Sequence, residues 1–302
     1  MKNKIELRLT DFIKNIRNKP GLYKFLKCSG CAFIFRHLGA IYYFLRFGKK
    51  KKIIIDGTPF TFAILDDTTR NFFHDPYWFG KLYEKDFTHH FIKSLENCKC
   101  FIDVGSNFGF FSIIAGKILD KQKGVVHAIE IDSDNINRMK SSVRLNHLDN
   151  ITIHHKAVGD SSRLVDYFCR GSSTNTLKLA NDKGLYRKRS IPMVSLDDLV
   201  EENKLKPDII KIDIEGAEYL ALLGMTKILN LNNIKIYCEV HLHKGDGSLS
   251  AFGHSINDVL KLLKKHGFTI EQIGHRQNCK ITQQVVHDAK DIAESVMLYA
   301  HH

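Results

Sequence analysis

The sequence predicts a doubly wound α/β fold: a mostly parallel sheet of seven strands, closed by an antiparallel C-terminal hairpin and preceded by a basic helical extension. Three observations carry this. From residue 99 onward, short apolar runs alternate with segments of helical period, the pattern of strands joined by crossover helices. The last two runs, FTIEQIGHR and SVMLYAH, have no helical pattern between them, so they are expected to pair antiparallel while the earlier strands lie parallel. A glycine turn, DVGSNFG at 103–109, follows the first run, where such sheets place a ligand-binding loop.

Residues 1–52 form a basic leader. They carry 14 of the 45 lysines and arginines against Glu6 and Asp11, so the whole net charge of +12 sits there and the remainder is balanced. Ile5, Leu9, Phe12, Ile13 and Ile16 have helical spacing, and Pro20 and Gly21 end that pattern. The apolar stretch from Cys28 to Phe47 has the length of a membrane span, but Arg36 and His37 lie near its middle. A charge there costs about 2.5 to 3.5 kcal/mol. Two readings stay open: an interfacial helix whose flanking lysines Lys49 to Lys52 meet an anionic membrane surface, or a helical hairpin packed on the main domain with a solvated lysine turn. Nucleic acid ranks below both. A secretory signal does not fit, because the apolar run starts too far in and contains arginines. The seven cysteines form no disulfide framework, which suits a reducing, cytoplasmic setting, with the chain free or peripheral on the cytoplasmic face of a membrane. Cys28-x-x-Cys31 and Cys98-x-Cys100 are read as small apolar thiols rather than zinc half-sites.

Residues 53–98 lead into the main domain, with IIIDGTPFTFAI turning at Asp56-Gly57 as a hairpin. Residues 99–302 hold the rest. KCFIDV, GVVHAIEI and NITIHH are strands separated by NFGFFSIIAGKIL and SDNINRMKSSVRLNHL as helices, with Ser133 and Asp134 as suitable caps. RLVDYFCRG and RSIPMVSL are extended, with a polar loop between them. PDIIKIDIEG and NIKIYCEVHL are strands, each followed by a helix, AEYLALLGMTKIL and SINDVLKLLKKHG, before the final pair.

The glycine turn is not a phosphate loop. Gly109 is followed by Phe rather than Lys, and Asn107 stands where a dinucleotide loop needs its second glycine. Asp103 at the strand end would repel a dianion by about 1 kcal/mol or more and attract a cation. Glu130 ends the next strand, where such folds bind ribose hydroxyls. S-adenosylmethionine, with a ribose, a sulfonium and an ammonium but no phosphate, satisfies both acids.

DVGSNFGFFS, AIEIDSDNINRM, VSLDDL, IIKIDIEGAEYLALLGM and CEVH occur in the order of the FkbM-type methyltransferases, and the chain resembles that family over roughly residues 80 to 240. NFFHDPYWFGKLYEKDF resembles the family's segment ahead of the domain, with its Tyr-Glu pair at Tyr83 and Glu84. Ser106 replaces the commoner alanine. The resemblance implies a class I methyltransferase, Rossmann-like fold and methyl transfer from S-adenosylmethionine to a hydroxyl of a glycan, glycolipid or related small molecule. It also implies cofactor contacts from Asp103, Gly105, Ser106, Asn107, Gly109, Glu130, Ile131 and Val158, and acceptor contacts from Glu84, Glu215 and Glu239.

Methylating an alcohol needs a base for its proton. Lys211, Asp213 and Glu215 alternate along KIDIEG and share a face up to the turn at Gly216. Lys211 is expected to pair with a carboxylate, leaving Asp213 at the strand end as first choice for base or acceptor anchor. His241 is second, on the ordinary imidazole pKa near 6.5. Asp213 and Glu215 also fit a helix cap and first turn, and His241 and His243 also fit loop residues without chemistry. Asp213, Glu239, His241 and His243 are acceptable metal ligands, but spacing alone does not establish a metal site and none is assigned. HDPYW lacks the second proline and preceding strand of an amino-methylating motif, so Asp75 and Trp78 are assigned to a turn or cleft wall. The alternatives in other classes are a noncatalytic membrane or nucleic-acid adaptor and a nicotinamide-dependent sugar enzyme.

Overall fold

A computed structural model describes residues 49–74, 82–170, 174–177, 187–243, 245, 247–274, 283–292 and 296–302. The leader up to residue 48, Asp75 and Trp78 lie outside the described residues. The domain begins with a hairpin, β1 (Lys50–Ile55) and β2 (Thr58–Ala63). Asp56 and Gly57 turn it with φ of 47° and 77°, the left-handed pair that a two-residue turn of this kind requires. Lys50 to Lys52, counted with the leader in both open readings, form the start of β1. Two short helices follow, α1 (Asp67–His74) and α2 (Lys85–Ser94).

The alternating region then gives β3 (Cys100–Val104), α3 (Phe110–Asp120), β4 (Val125–Glu130), α4 (Ser133–Asn146) and β5 (Ile151–His155). The cap of α4 is Asp132, whose carboxylate accepts from the N–H groups of Asp134 and Asn135, so Ser133 and Asp134 fall inside the first turn. A separate four-stranded sheet is inserted next: β6 (Ala157–Val158), β7 (Arg163–Arg170), β8 (Thr174–Thr176) and β9 (Arg187–Val194), ordered β6-β9-β7-β8. After α5 (Leu196–Glu202) come β10 (Ile209–Ile212), α6 (Glu218–Leu223), β11 (Lys235–Val240), α7 (Ile256–Lys265), β12 (Thr269–Ile273), β13 (Gln283–Val285) and β14 (Val296–His301).

The helix expected over residues 217–229 stops at Leu223. Gly224 lies where a Cβ would come within 2.0 Å of the Gly159 carbonyl, and the chain re-enters as a single turn whose Lys227 and Ile228 N–H groups donate to Asp197. The central sheet has order β13-β12-β14-β11-β10-β3-β4-β5. β3, β4, β5, β10 and β11 are parallel, and β14 runs antiparallel between β11 and β12. The expected terminal hairpin is therefore present, and the three-residue edge strand β13 makes eight strands where the sequence indicates seven.

The order reverses between β3 and β10, which opens a crevice at their carboxyl ends. The two faces of the sheet differ. Ile102, Val104, Ile210, Ile212, Cys238 and Val240 pack in an aliphatic layer with α5, α6 and α7. On the other face Phe101, Ile209 and Tyr237 meet an aromatic layer that includes Phe62, Phe87, Phe91 and Phe111, each worth about 1.5 to 3 kcal/mol when buried. Strand alternation puts Asp103, Lys211 and Glu239 on this aromatic side. The β1–β2 hairpin is tied to α4 by Asn146, which accepts from Thr61 N–H and donates to its carbonyl. The Asp66–Arg138 ion pair adds a second tie. Among the described residues no helix is long and apolar enough to cross a membrane.

Gly105 decides how closely β3 and β10 approach at the crevice. Its φ is 77°, and a Cβ there would lie 1.8 Å from the Asp213 carbonyl oxygen. Gly105→Ala is expected to cost at least about 2 kcal/mol, through left-handed strain plus the backbone clash. Gly253→Ala, at φ 81° but facing open space, should cost only about 1 kcal/mol. Urea midpoints of the two variants check this, and equal losses would show that the approach is not tight.

Candidate active site

A cavity of about 540 Å³ lies above the carboxyl ends of β3, β4, β10 and β11. The turn after β3 forms its floor. Gly105 and Ser106 N–H groups donate to the Ile129 carbonyl at 3.0 and 3.1 Å, which binds this turn to β4. Asn107, left-handed at φ 52°, sends its N–H to Glu130 Oε2 at 2.7 Å, while Asp132 N–H reaches Glu130 Oε1 at 2.8 Å. Burial pushes the Glu130 carboxyl up to about 7, although these N–H groups act to hold it down.

Of the expected cofactor contacts, Gly105, Asn107, Glu130, Ile131 and Val158 line this cavity. Asp103, Ser106 and Gly109 are not among its lining residues. Asp103 is 1% exposed and faces the aromatic layer beneath the turn, where its Oδ2 accepts from Ser112 Oγ at 2.5 Å. Its Oδ1 has no hydrogen-bond partner among the described residues, and burial raises its pKa against the pull of Lys211 and Ser112. Ser106 donates its hydroxyl to the Ile129 carbonyl at 3.2 Å. Gly109 ends the turn at φ 88°, where a Cβ would meet Met139 at 2.5 Å.

The other wall is acidic. Glu84, Asp213, Glu215, Glu239 and His241, all expected on the acceptor side, line it together. Lys211 stands behind them on β10, 2% exposed. Its ammonium donates to Asp213 Oδ2 at 2.9 Å and lies 5.2 Å from the centre of the Phe111 ring, so the carboxylate that pairs with Lys211 is Asp213 itself, the residue expected to stand apart at the strand end. Burial opposes its charge, yet Asp213, Asp103 and Glu239 hold its pKa above the ordinary lysine value. Burial, with Glu239 and Asp213 nearby, pushes Glu84 well above the usual carboxylate range. Glu215, left-handed at φ 51° beside Gly216, is pushed up to about 7, chiefly by burial.

His241 is not the neutral base that its ordinary pKa suggests. Burial disfavours its charge, but Glu218, Asp213 and Glu239 outweigh that and raise it to about 10. Its Nδ1 donates to Glu218 Oε1 at 2.8 Å. Its Nε2 lies 3.9 Å from Asp213 Oδ1 and 3.8 Å from both Glu215 Oε2 and Glu239 Oε1. His243 stands off, exposed, its ring 6.0 Å from that of His241. Asp213, Glu239 and His241 each offer an atom within 4.8 Å of the others.

Sequence reasoning missed several groups at the site. Glu218 lies behind the cavity lining with no exposed surface, and its Oε1 also accepts from Gly216 N–H at 2.9 Å. It is the last residue of KIDIEGAE, so its place in the block is the signal that could have found it. Phe72, Asn135 and Lys156 line the cavity itself. Lys156 pairs with Glu202 at 3.3 Å. Cys98, Cys100, Cys169 and Cys238 are buried and free, and burial pushes the Cys98 and Cys100 thiols up to about 12, which fits their reading as apolar side chains.

The Methyltransferase FkbM domain family matches residues 103–270, more than half of the chain. The chain belongs to the FkbM methyltransferase family. Among individual proteins, a hexuronic acid methyltransferase, AglP of Haloferax volcanii, is 26% identical over 199 residues, covering 65% of this chain and 78% of that protein. Among solved structures, the methyltransferase FkbM of Methylobacillus flagellatus is similar at a TM-score of 0.44 and 16% identity, over 68% of this chain. The match spans only 44% of that chain's length. An S-adenosylmethionine-dependent O-methyltransferase of Thermotoga maritima gives a TM-score of 0.41 at 12% identity, covering 87% of this chain and 80% of the other.

Replacing Lys211 tests the buried charges. Lys211→Met leaves Asp103 buried without its counter-charge and should cost about 3 kcal/mol or more at pH 8. Loss of the ammonium raises the folded-state pKa of Asp103 further, so the native form takes up a proton as the pH falls and the deficit shrinks. Thermal unfolding should show a smaller gap to wild type at pH 5.5 than at pH 8; the same gap at both would show that Asp103 does not depend on Lys211.

Proposed function

We propose that the chain transfers a methyl group from S-adenosylmethionine to an oxygen of a glycan, glycolipid or related small molecule. The observation that carries this is the division of the cavity. One end has an acid with both oxygens fixed by backbone N–H groups, Glu130, next to the apolar Ile131 and Val158. That end suits a ribose diol and an adenine ring. The other end has four carboxylates, Glu84, Asp213, Glu215 and Glu239, which favour a cationic donor and supply acceptors for sugar hydroxyls.

The S-adenosylmethionine would contribute its sulfonium methyl. Glu130 accepts hydroxyl hydrogens; the turn at Gly105 to Asn107 sets where the ligand's backbone-facing edge lies. Asp213, with one oxygen held by Lys211, leaves Oδ1 toward the cavity, so it is the first choice to orient the acceptor hydroxyl and take its proton. Tyr83 and Glu84 close the wall beside it. The relative that is named a hexuronic acid methyltransferase supports a sugar acceptor. Docking of the basic leader on an anionic membrane, where a lipid-linked glycan would be presented, is part of the same proposal.

Two variants, one pH profile and one competition test the reading. Glu130→Ala should weaken S-adenosylmethionine binding tenfold or more, about 1.4 kcal/mol, measured by calorimetry. In the wild type, binding should weaken as the pH falls through about 7, because protonation of Glu130 removes the acceptor that the diol needs. An affinity that is flat from pH 6 to 8.5 would remove Glu130 from that role. Asp213→Asn should slow tritium transfer from labelled S-adenosylmethionine to uronate-bearing or neutral oligosaccharides by a hundredfold or more, with cofactor affinity held within about threefold. Undiminished turnover would exclude Asp213 as base or anchor. NAD displacing S-adenosylmethionine from the wild type would favour the nicotinamide alternative.

A further inference from the structure

The acidic wall is costly as it stands. Glu239 and His241 each keep only 7% of their side-chain surface exposed, and Asp213 and Glu215 crowd the same point. His241 Nε2 faces three carboxylate oxygens at 3.8 to 3.9 Å. An N–H···O bond needs about 2.7 to 3.2 Å, so Nε2 is hydrogen-bonded to none of these three. A buried imidazolium free to choose a partner would draw one oxygen in. The near-equal distances instead leave a gap at the centre of the group.

That gap is the size of an ion. Ligands about 2.1 Å from an octahedral ion stand about 3.0 Å apart when adjacent and about 4.2 Å apart when opposite. The separations of 3.8 and 3.9 Å lie between these two values, so side-chain movement of under about 1 Å brings one oxygen opposite Nε2 and the other adjacent to it. The imidazole is also set for such a role: Nδ1 is committed to Glu218, a carboxylate with no exposure, which turns Nε2 toward the acids. Carboxylate behind, imidazole between and cation in front is the usual outer-shell arrangement of a metal-bound histidine. His243, the fourth ligand type suggested by spacing, is exposed and lies off this point.

We propose that Asp213 Oδ1, Glu239 and His241 Nε2 bind one divalent cation, with Glu218 as the positioning residue for the imidazole. Two carboxylates and one imidazole without a thiolate suit Mn2+ or a similar hard to borderline ion. Binding exchanges a proton on Nε2 for the ion, and Asp213 keeps Oδ2 on Lys211. The inference deepens the methyl-transfer reading at one point: with the acids neutralised, an acceptor oxygen, including that of a uronate, can enter a wall that would otherwise repel it. In that case Asp213 anchors the acceptor through the ion.

The test is Mn2+ binding to the full chain after chelator treatment, followed by electron paramagnetic resonance and by the shift in unfolding temperature. Wild type should bind one ion saturably below 1 mM and unfold at a higher temperature with it. Glu239→Gln and His241→Ala should each weaken binding tenfold or more, and Glu218→Gln should weaken it by a factor of about 10 to 100. Calorimetry with S-adenosylmethionine in the presence of chelator separates the two claims. Cofactor binding without a saturable Mn2+ site overturns the ion and leaves the methyl-transfer reading standing. Mn2+ affinity unchanged in folded Glu239→Gln and His241→Ala also overturns it, since the ion would then lie elsewhere.

Discussion

The site depends on one buried ammonium. Lys211 stands in the middle of the sheet, between an apolar strand on each side and an aromatic layer above. An unpaired charge there would cost several kcal/mol. It is tolerated because Asp213 accepts from it at 2.9 Å and Asp103 lies across the strand pair in register with it. The same pairing fixes Asp213, whose backbone N–H is held by the Val104 carbonyl at 3.0 Å, and so sets the carboxyl ends of β3 and β10 relative to each other. Gly105 must fit into what space remains.

With Lys211 taken up by these partners, the charge that a ligand meets is set by the outer acids. Asp103 is not among the residues lining the cavity, so in the proposed reading a preference for a positive donor over a pyrophosphate would rest on Glu84, Asp213, Glu215 and Glu239. A positive centre about 5 Å from one ionised carboxylate gains about 3 kcal/mol at an effective dielectric of about 20, and a phosphate loses as much. Burial pushes Glu84 well above the usual carboxylate range and Glu215 up to about 7, so a cation entering the wall favours loss of protons there. The acids that face the cavity are thus other than the Asp103 of the glycine turn.

The parallel core, the hairpin turn at Asp56-Gly57, the antiparallel final pair and the need of Lys211 for a carboxylate were all legible, because each follows from periodicity, turn chemistry or the cost of a lone buried charge; that the carboxylate is Asp213 was not. What was not legible depends on packing. Asp103 ends an apolar strand in the sequence, but whether its side chain faces ligand or core is decided by the aromatic layer on that face. Glu218 finds His241 across 23 residues, a distance no local pattern reports. β13 is three residues of polar sequence, too short to show alternation. The interruption at Gly224 follows from contact with Gly159, a partner visible only once the inserted sheet is placed.

His241 shows why residue type alone misleads at such a site. An imidazole beside three carboxylates and hydrogen-bonded to a fourth is held charged up to about pH 10, so at neutrality it has no lone pair to take a proton. Its effect is to bind the acids together. Removing a positive charge from that position without replacing it would leave Asp213, Glu215 and Glu239 repelling one another at short range. Any ligand that enters therefore has to keep the local charge balanced, by bringing a sulfonium, a sugar that donates hydroxyl hydrogens, or a cation in place of the proton. In the proposed reading, that requirement, rather than one residue's basicity, connects the Glu130 end of the cavity to the acidic end.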